Sequence, residues 1–334
     1  RDRSPSRGLG DVYKRQFDYY QRYTYDMVGP APTLPGILGA SAPKINNADM
    51  KSYGWEMELS WRDRIEDFNY GVRFTLADGQ RKVLKYPNES GDIYSWYNNK
   101  LDGTIWGYTT VGIAQTQEEM DAHLANNKPN WGSNWGAGDI MYADLNGDGE
   151  VTSGSKTLND HGDLKVIGNS YARYNFGFTV DGSWRGLDFS IFLQGTMKRD
   201  YWLDGPYFWG ASGDEWQSAC FTEHLDYWTP EHTNAYYPKP YFGNIKKNQE
   251  VQSGYLQNAA YLRVKNVQVG YTLPKSWTKK AAMESVRFYV SGDNLLTWTG
   301  ISSIFDPETL GGDWGPGKLY PLQRTLSVGV NVNF

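Results

Sequence analysis

The chain has 334 residues, a formal net charge of −5, 21% charged side chains and 16% aromatics. That size holds one large β domain or two small ones, and the charge leaves no footprint for nucleic acid. The single cysteine, Cys220, excludes an internal disulfide framework and a cysteine zinc cluster. Apolar runs are too short for a transmembrane helix. The mean hydropathy of −0.65 still allows a membrane barrel, because barrel strands expose apolar side chains only at alternate positions.

The first stretch, residues 1–16, is basic and has no apolar core. It carries no secretory signal and is set apart from the fold as a non-native leader or assembly scar, with a native flexible tail as the alternative. Phe17 to Met27 is rich in Tyr and reads as a strand. After a Pro/Gly-rich loop, Tyr53 to Arg62 alternates, with Trp55, Met57, Leu59 and Trp61 on one face and Glu56, Glu58, Ser60 and Arg62 on the other. A turn at Asp63 to Glu66 leads to Phe68 to Ala77, which alternates again. A long irregular region, 78–170, contains a short helix at Gln117 to Leu124. Tyr174, Phe176, Phe178 and Val180 line the next strand, and a turn within Gly182 to Gly186 leads to Leu187, Phe189, Ile191 and Leu193. A second long region follows. Tyr261 to Leu273 is a strand whose alternation slips at Lys265 and Asn266, the mark of a β-bulge. A Lys-bearing connection, Pro274 to Glu284, precedes the strand Ser285 to Trp298. A Gly-rich loop precedes the final alternating run, Leu322 to Phe334.

This makes about eight strands. Their connections run long, short, long, short, long, short, long. In an up-and-down antiparallel wall all short turns then fall at one end and all long loops at the other, as in outer-membrane barrels. A soluble sandwich does not segregate its loops this way. The fold class expected is all-β: the C-terminal portion of an antiparallel transmembrane barrel with long extracellular loops. Glu56, Glu58, Arg62, Asn175, Thr179, Asp188 and Gln194 would point into the lumen. Trp55, Trp61, Phe189 and the terminal Phe334 would face lipid or its interfacial girdle, Phe334 as the barrel-closing terminus. Lys275, Lys279 and Lys280 read as a solvated turn.

Several stretches together resemble one family. They are Tyr261–Lys280 (YLRVKNVQVGYTLPKSWTKK), Val286–Gly300 (VRFYVSGDNLLTWTG) and Phe305–Glu308 (FDPE). Gly54–Asp63 (GWEMELSWRD), Ala143–Thr152 (ADLNGDGEVT), Val166–Asn169 (VIGN) and Tyr174–Val180 (YNFGFTV) agree. The combination resembles the C-terminal part of SusC/RagA-like TonB-dependent outer-membrane transporters and covers 17–334. The resemblance implies a barrel of about 22 strands filled by a plug. It also implies a SusD-like lipoprotein lid, import of oligosaccharides or peptides energised by TonB, and a Bacteroidetes-type outer membrane. On this resemblance the chain is the last third of a transporter. The plug and TonB-contacting parts would lie elsewhere.

Asp144, Asn146 and Asp148 with Gly149 form D-x-N-x-D-G, the first half of a calcium loop. The twelfth position is Ser155 instead of Glu, so Asp160 or Asp163 would have to stand in; an Asx-rich turn without an ion is the alternative. Trp202, Tyr207, Trp209, Trp216 and Trp228 sit in the second long region. They suit sugar stacking or a lipoprotein-docking surface, with loop packing as the plainer role. No nucleophile elbow, zincin or phosphate-loop motif occurs, so an enzyme is not expected. The rival reading is a secreted carbohydrate-binding or glycan-degrading β-protein with a structural calcium loop. An autonomous small barrel fits less well, because the loops are large for so narrow a wall.

Overall fold

Alternation of apolar and polar side chains over eight segments sets the architecture. The computed structural model describes every residue except 1–11, 32–36, 38, 40–42, 211–219, 242, 244–245 and 312–314. The wall strands are β1 (Val12–Gly29), β2 (Ile45–Ile65), β3 (Phe68–Lys85), β4 (Arg173–Trp184), β5 (Leu187–Lys198), β6 (Gln257–Thr272), β7 (Ser285–Gly300) and β8 (Thr325–Asn333). Each pairs antiparallel with its neighbours in chain order, so the sheet runs β1 to β8 without a crossover. The short strand Asp200–Tyr201 adds on beside Gln257 and Asn258. The other sheets among the described residues are two-stranded pairs within the loops, so no second sheet forms a sandwich with this one.

The predicted strands are all present, and several run further than their alternation suggested. β2 and β3 each continue toward the long-loop end, pairing Asp49 through Gly54 with Lys85 through Gly79. Backbone pairing carries a strand on where side-chain alternation has already lapsed. β1 also reaches back through residues 12–16, which the sequence reading had set apart. They pair with Arg62 through Glu58. The helix α1 (Gln117–Leu124) forms where its pattern placed it. Thr116 caps it by accepting from the Glu119 amide, and Met120 is its buried anchor.

The short turns are tight. β2 and β3 join through Glu66 and Asp67. β4 and β5 join through Arg185 and Gly186, both at positive φ (47° and 92°), which matches a type I′ hairpin turn. Gly186 has no substitute there, since a Cβ would lie 2.7 Å from the Thr272 carbonyl oxygen. The third short connection holds the one-turn helix α2 (Lys275–Thr278), with Lys275, Lys279 and Lys280 exposed. The four long connections lie at the opposite end. The expected bulge is present: Val264 and Asn266 are paired on both sides of β6, and Lys265 is the extra residue.

Register sorts the side chains into two faces. Phe68, Trp184, Leu187 and Tyr271 lie in one cross-strand row, and Val72, Val180, Ile191 and Val267 in another. No second sheet covers these apolar rows among the described residues, and further along the same face the side chains of β8 stand out. Leu326 is 74% exposed and Val328 83%. The hydrophobic core lies instead beyond the long-loop end, built from Ile93, Tyr142, Leu203, Phe208, Tyr255 and Leu310 among others.

Candidate functional site

The polar face of the sheet and the loop mass above it are the two surfaces that could do work. All seven residues expected on the polar face are there by register: Glu56, Glu58, Arg62, Asn175, Thr179, Asp188 and Gln194. Three of their four charges have an opposite-sign partner across strands, while Glu56 faces Asp18 and Ala77. Glu58 sits between Lys14 at 3.2 Å and Arg73 at 3.3 Å. Asp188 pairs with Arg287, and Arg62 lies 3.8 Å from Asp181. The face is therefore polar but nearly charge-balanced. Trp55, Trp61 and Phe189 lie on the other, apolar face. Phe334 follows the last ladder pair and is 89% exposed.

The loops are held down at two buried charge clusters. In the first, Arg263 on β6 is almost fully buried and donates three ways: to Thr297 Oγ1 at 2.8 Å, Glu308 Oε1 at 2.6 Å and Asp306 Oδ1 at 2.8 Å. Lys265, the bulged residue, reaches Glu308 Oε2 at 2.9 Å. The bulge thus aims a second cation at the same loop. Asp306 also accepts the Glu308 and Leu322 amides. Burial works against the charged form of Asp306. The Glu308 amide and the Arg263 guanidinium outweigh it and hold the carboxyl below its ordinary value. This fastens the FDPE stretch onto the polar face of the wall.

In the second cluster, Lys247 and Asp139 form an ion pair at 2.6 Å with both side chains fully buried. Asp139 also accepts from Asn248 Nδ2 at 2.9 Å and the Gly136 amide at 2.7 Å. Lys247 stands 4.3 Å from the Tyr241 ring centroid, a cation–π contact. The pair ties the first long loop region to the second, across 108 residues of chain. Neither cluster was singled out from sequence. Asp306 and Glu308 were noted only within a family-like stretch, and nothing marked Lys247 among the many surface-like lysines.

The D-x-N-x-D-G loop closes on its own amides. Asp144 accepts from Asn146, Gly147 and Gly149, and Asp148 accepts from Glu150. The Gly149 amide is the main reason the Asp144 carboxyl is held below its ordinary value. Of the two stand-ins, it is Asp163 that comes to the loop: buried, it accepts from Leu145 at 2.6 Å and Thr152 at 2.7 Å. Asp160 turns to Ser155 instead. Among the described residues no three His, Cys, Asp or Glu side chains group as a metal centre.

The loop aromatics divide by role. Trp209 is buried, 4.8 Å from Tyr255 and 5.1 Å from Phe208 between ring centroids. Trp202 packs on the same core. Trp228 is also buried, and its indole N–H points to Gln115 Oε1 at 3.4 Å. Gly138, at φ 89°, passes under that ring where any Cβ would collide with it. These three build the inside of the loop mass, because large aromatic area is what a loop without regular structure has to bury. Tyr207 is partly exposed and stacks on Phe221 at 5.8 Å, at the surface. Trp216 lies outside the described residues.

No protein-family model matches the chain. Among curated proteins it is similar to TonB-dependent receptor P3 of Formosa agariphila, at 27% identity over 95% of this chain and 32% of that protein. It is similar to TonB-dependent receptor SusC of Bacteroides thetaiotaomicron at 22% identity, over 95% of this chain and 30% of SusC. The chain spans about a third of the length of the curated relatives it matches. Among solved structures, the RagAB peptide transporter shares the fold, with a TM-score of 0.69 at 21% identity over 96% of this chain and 33% of that one. The RagAB peptide importer in its open-open state gives a TM-score of 0.70. The similarity to TonB-dependent receptors holds across nearly the whole chain, and its eight-stranded antiparallel sheet shares the fold of the RagAB transporter.

Proposed function

We propose that this chain forms part of the wall and outer loops of a TonB-dependent importer in a Bacteroidetes-type outer membrane. The importer takes up glycans or peptides with a SusD-like surface lipoprotein on the loops. One observation carries the reading. The eight-stranded sheet bares an apolar face that no second sheet covers among the described residues, turns a nearly charge-balanced polar face the other way, and has all its long loops at one end. Lipid is the solvent that suits the first face and water the second. The matching relatives are receptors by name, which favours a non-catalytic role. Energy would enter through TonB acting on other parts of the whole protein. The exposed Tyr207 and Phe221 stack offers the lipoprotein an aromatic contact.

The test uses the whole protein in its own cells. It is expected in the outer-membrane fraction, soluble only with detergent, and removal of TonB should abolish uptake of an oligomeric nutrient that the cells otherwise import. Recovery in the soluble fraction would overturn the reading and bring back a secreted carbohydrate binder.

Calcium at Asp144, Asn146 and Asp148 is a separate and smaller proposal. It is supported by the alternating oxygen side chains and by Asp163 arriving beneath the loop. Titration calorimetry should give chelator-sensitive heat below about 1 mM Ca²⁺, the weak end of such loops. A flat trace at that concentration removes the ion.

A further inference from the structure

At the short-turn end, on the apolar face, four side chains border a shallow, open slot of about 360 Å³: Phe68, Trp184, Leu187 and Phe189. The slot exists because β4 carries Gly182 opposite Phe189. The Phe189 and Phe68 rings lean over a position that has no side chain, and a Cβ there would lie 2.6 Å from the Phe189 ring. Nothing polar of note lines it. One residue beyond Trp184, at the tip of the hairpin, stands Arg185. Its guanidinium lies 5.4 Å from the Trp184 ring centroid and is 69% exposed, with Asp67 at 3.0 Å as its partner. The Gly186 carbonyl accepts the Thr272 amide, so this hairpin tip adjoins the connection that carries Lys275, Lys279 and Lys280.

We infer that this slot holds one acyl chain of a glycerophospholipid, with the lipid phosphate at Arg185 and the neighbouring lysines. The inference rests on the apolar face being lipid-facing. The pairing of an all-apolar slot with the Arg185 guanidinium over its Trp184 wall, at the end of the sheet where the lysine-bearing connection also lies, then selects the occupant. An apolar slot alone would suit any hydrocarbon, but the cations at the level of the turns suit a phosphodiester of the leaflet bordering the short turns. A guanidinium binds phosphate through two parallel N–H groups, and its bond to Asp67 uses only Nε. Trp184 serves both parts of the lipid: its ring walls the slot and underlies the cation.

The experiment is native mass spectrometry of the whole protein, delipidated in mild detergent and supplied with phosphatidylglycerol. The wild type should retain one lipid per protein through detergent removal. Trp184→Ala opens the slot, and Arg185→Glu leaves the slot but reverses the charge. Each should weaken retention on the order of tenfold. With diacylglycerol, which lacks the phosphate, Arg185→Glu should make no difference while Trp184→Ala still does. Equal phosphatidylglycerol retention by all three proteins, or preferential retention of lipid A, overturns the proposal. Migration on unheated gels monitors folding of each variant. If the protein needs no detergent at all, the membrane reading itself has failed. If it needs detergent and retention is unchanged, only the slot has failed.

Discussion

Arg263→Ala is expected to free residues 301–310 from the wall. The substitution removes one buried cation and strands two carboxylates, Asp306 and Glu308, of which only Glu308 keeps another cationic partner, Lys265. Breaking a buried pair by deleting one partner costs about 3–5 kcal/mol, because the remaining charge stays buried without compensation. Hydrogen exchange on the whole protein should show amides near Phe305 and Thr309 losing protection by at least two orders of magnitude. Arg263→Lys should recover only part, since an ammonium cannot reproduce the three-way fork to Thr297, Asp306 and Glu308. Unchanged protection at Phe305 in the alanine variant would show that the apolar packing of Phe305 and Leu310 holds this loop instead. The same staple has a pH dependence. Asp306 is held below its ordinary value in the folded loop, so its contribution is present above that ordinary value, near pH 4. It begins to fall below that value and is lost as pH drops through the lowered folded value, so acidification well below about pH 4 should release the loop even in the wild type.

The second large effect is expected at Lys247. Lys247→Met leaves Asp139 charged and fully buried, with the Asn248 side chain, the Gly136 amide and the Tyr241 hydroxyl as neutral donors and no cation beside it. The cost is again about 3–5 kcal/mol, borne by the loop mass and not by the sheet. Limited proteolysis should then cut within 126–138 and 227–250 while β1 to β8 stay intact. Adding Asp139→Asn to Lys247→Met should restore much of the resistance, because a neutral amide still accepts from Gly136 and removes the stranded charge. If the double variant is no better than the single one, the damage comes from lost packing of the Lys247 stem against Trp135 and Tyr241. A loop mass that loosens without the wall unfolding also bears on the proposed function, since the lipoprotein would dock on that mass.

The wall was legible from Tyr53 to Phe334 because a strand has a period of two and one of its faces stays uncovered. Trp55 to Trp61, Phe68 to Leu76 and Leu326 to Val332 show that period without help from any partner. Their faces came out as read. The helix at Gln117–Leu124 was equally local, and the structure adds its Thr116 cap and its Met120 anchor. The bulge at Lys265 was visible as a slip of phase. Its consequence, a cation aimed at Glu308, was not visible, because Glu308 is 43 residues away.

Residues 12–16 fell the other way. Their composition suggested a segment foreign to the fold, yet the ladder to Arg62 through Glu58 continues through them, as backbone hydrogen bonds do not depend on side-chain character. The loop aromatics were legible as a set and not one by one. Trp209, Trp228 and Tyr207 look alike in sequence, and only the packing puts two of them inside and one at the surface. Sequence by itself determined the strands, their faces, the order of long and short connections and the resemblance to TonB-dependent receptors. All of these are encoded locally or in spacing. The tertiary structure alone decided which charges are buried together, that Asp163 and not Asp160 meets the Asp144 loop, and where a glycine opens a slot between aromatic rings. Those depend on contacts between residues far apart in the chain, whose energies exist only once the backbone has brought them together.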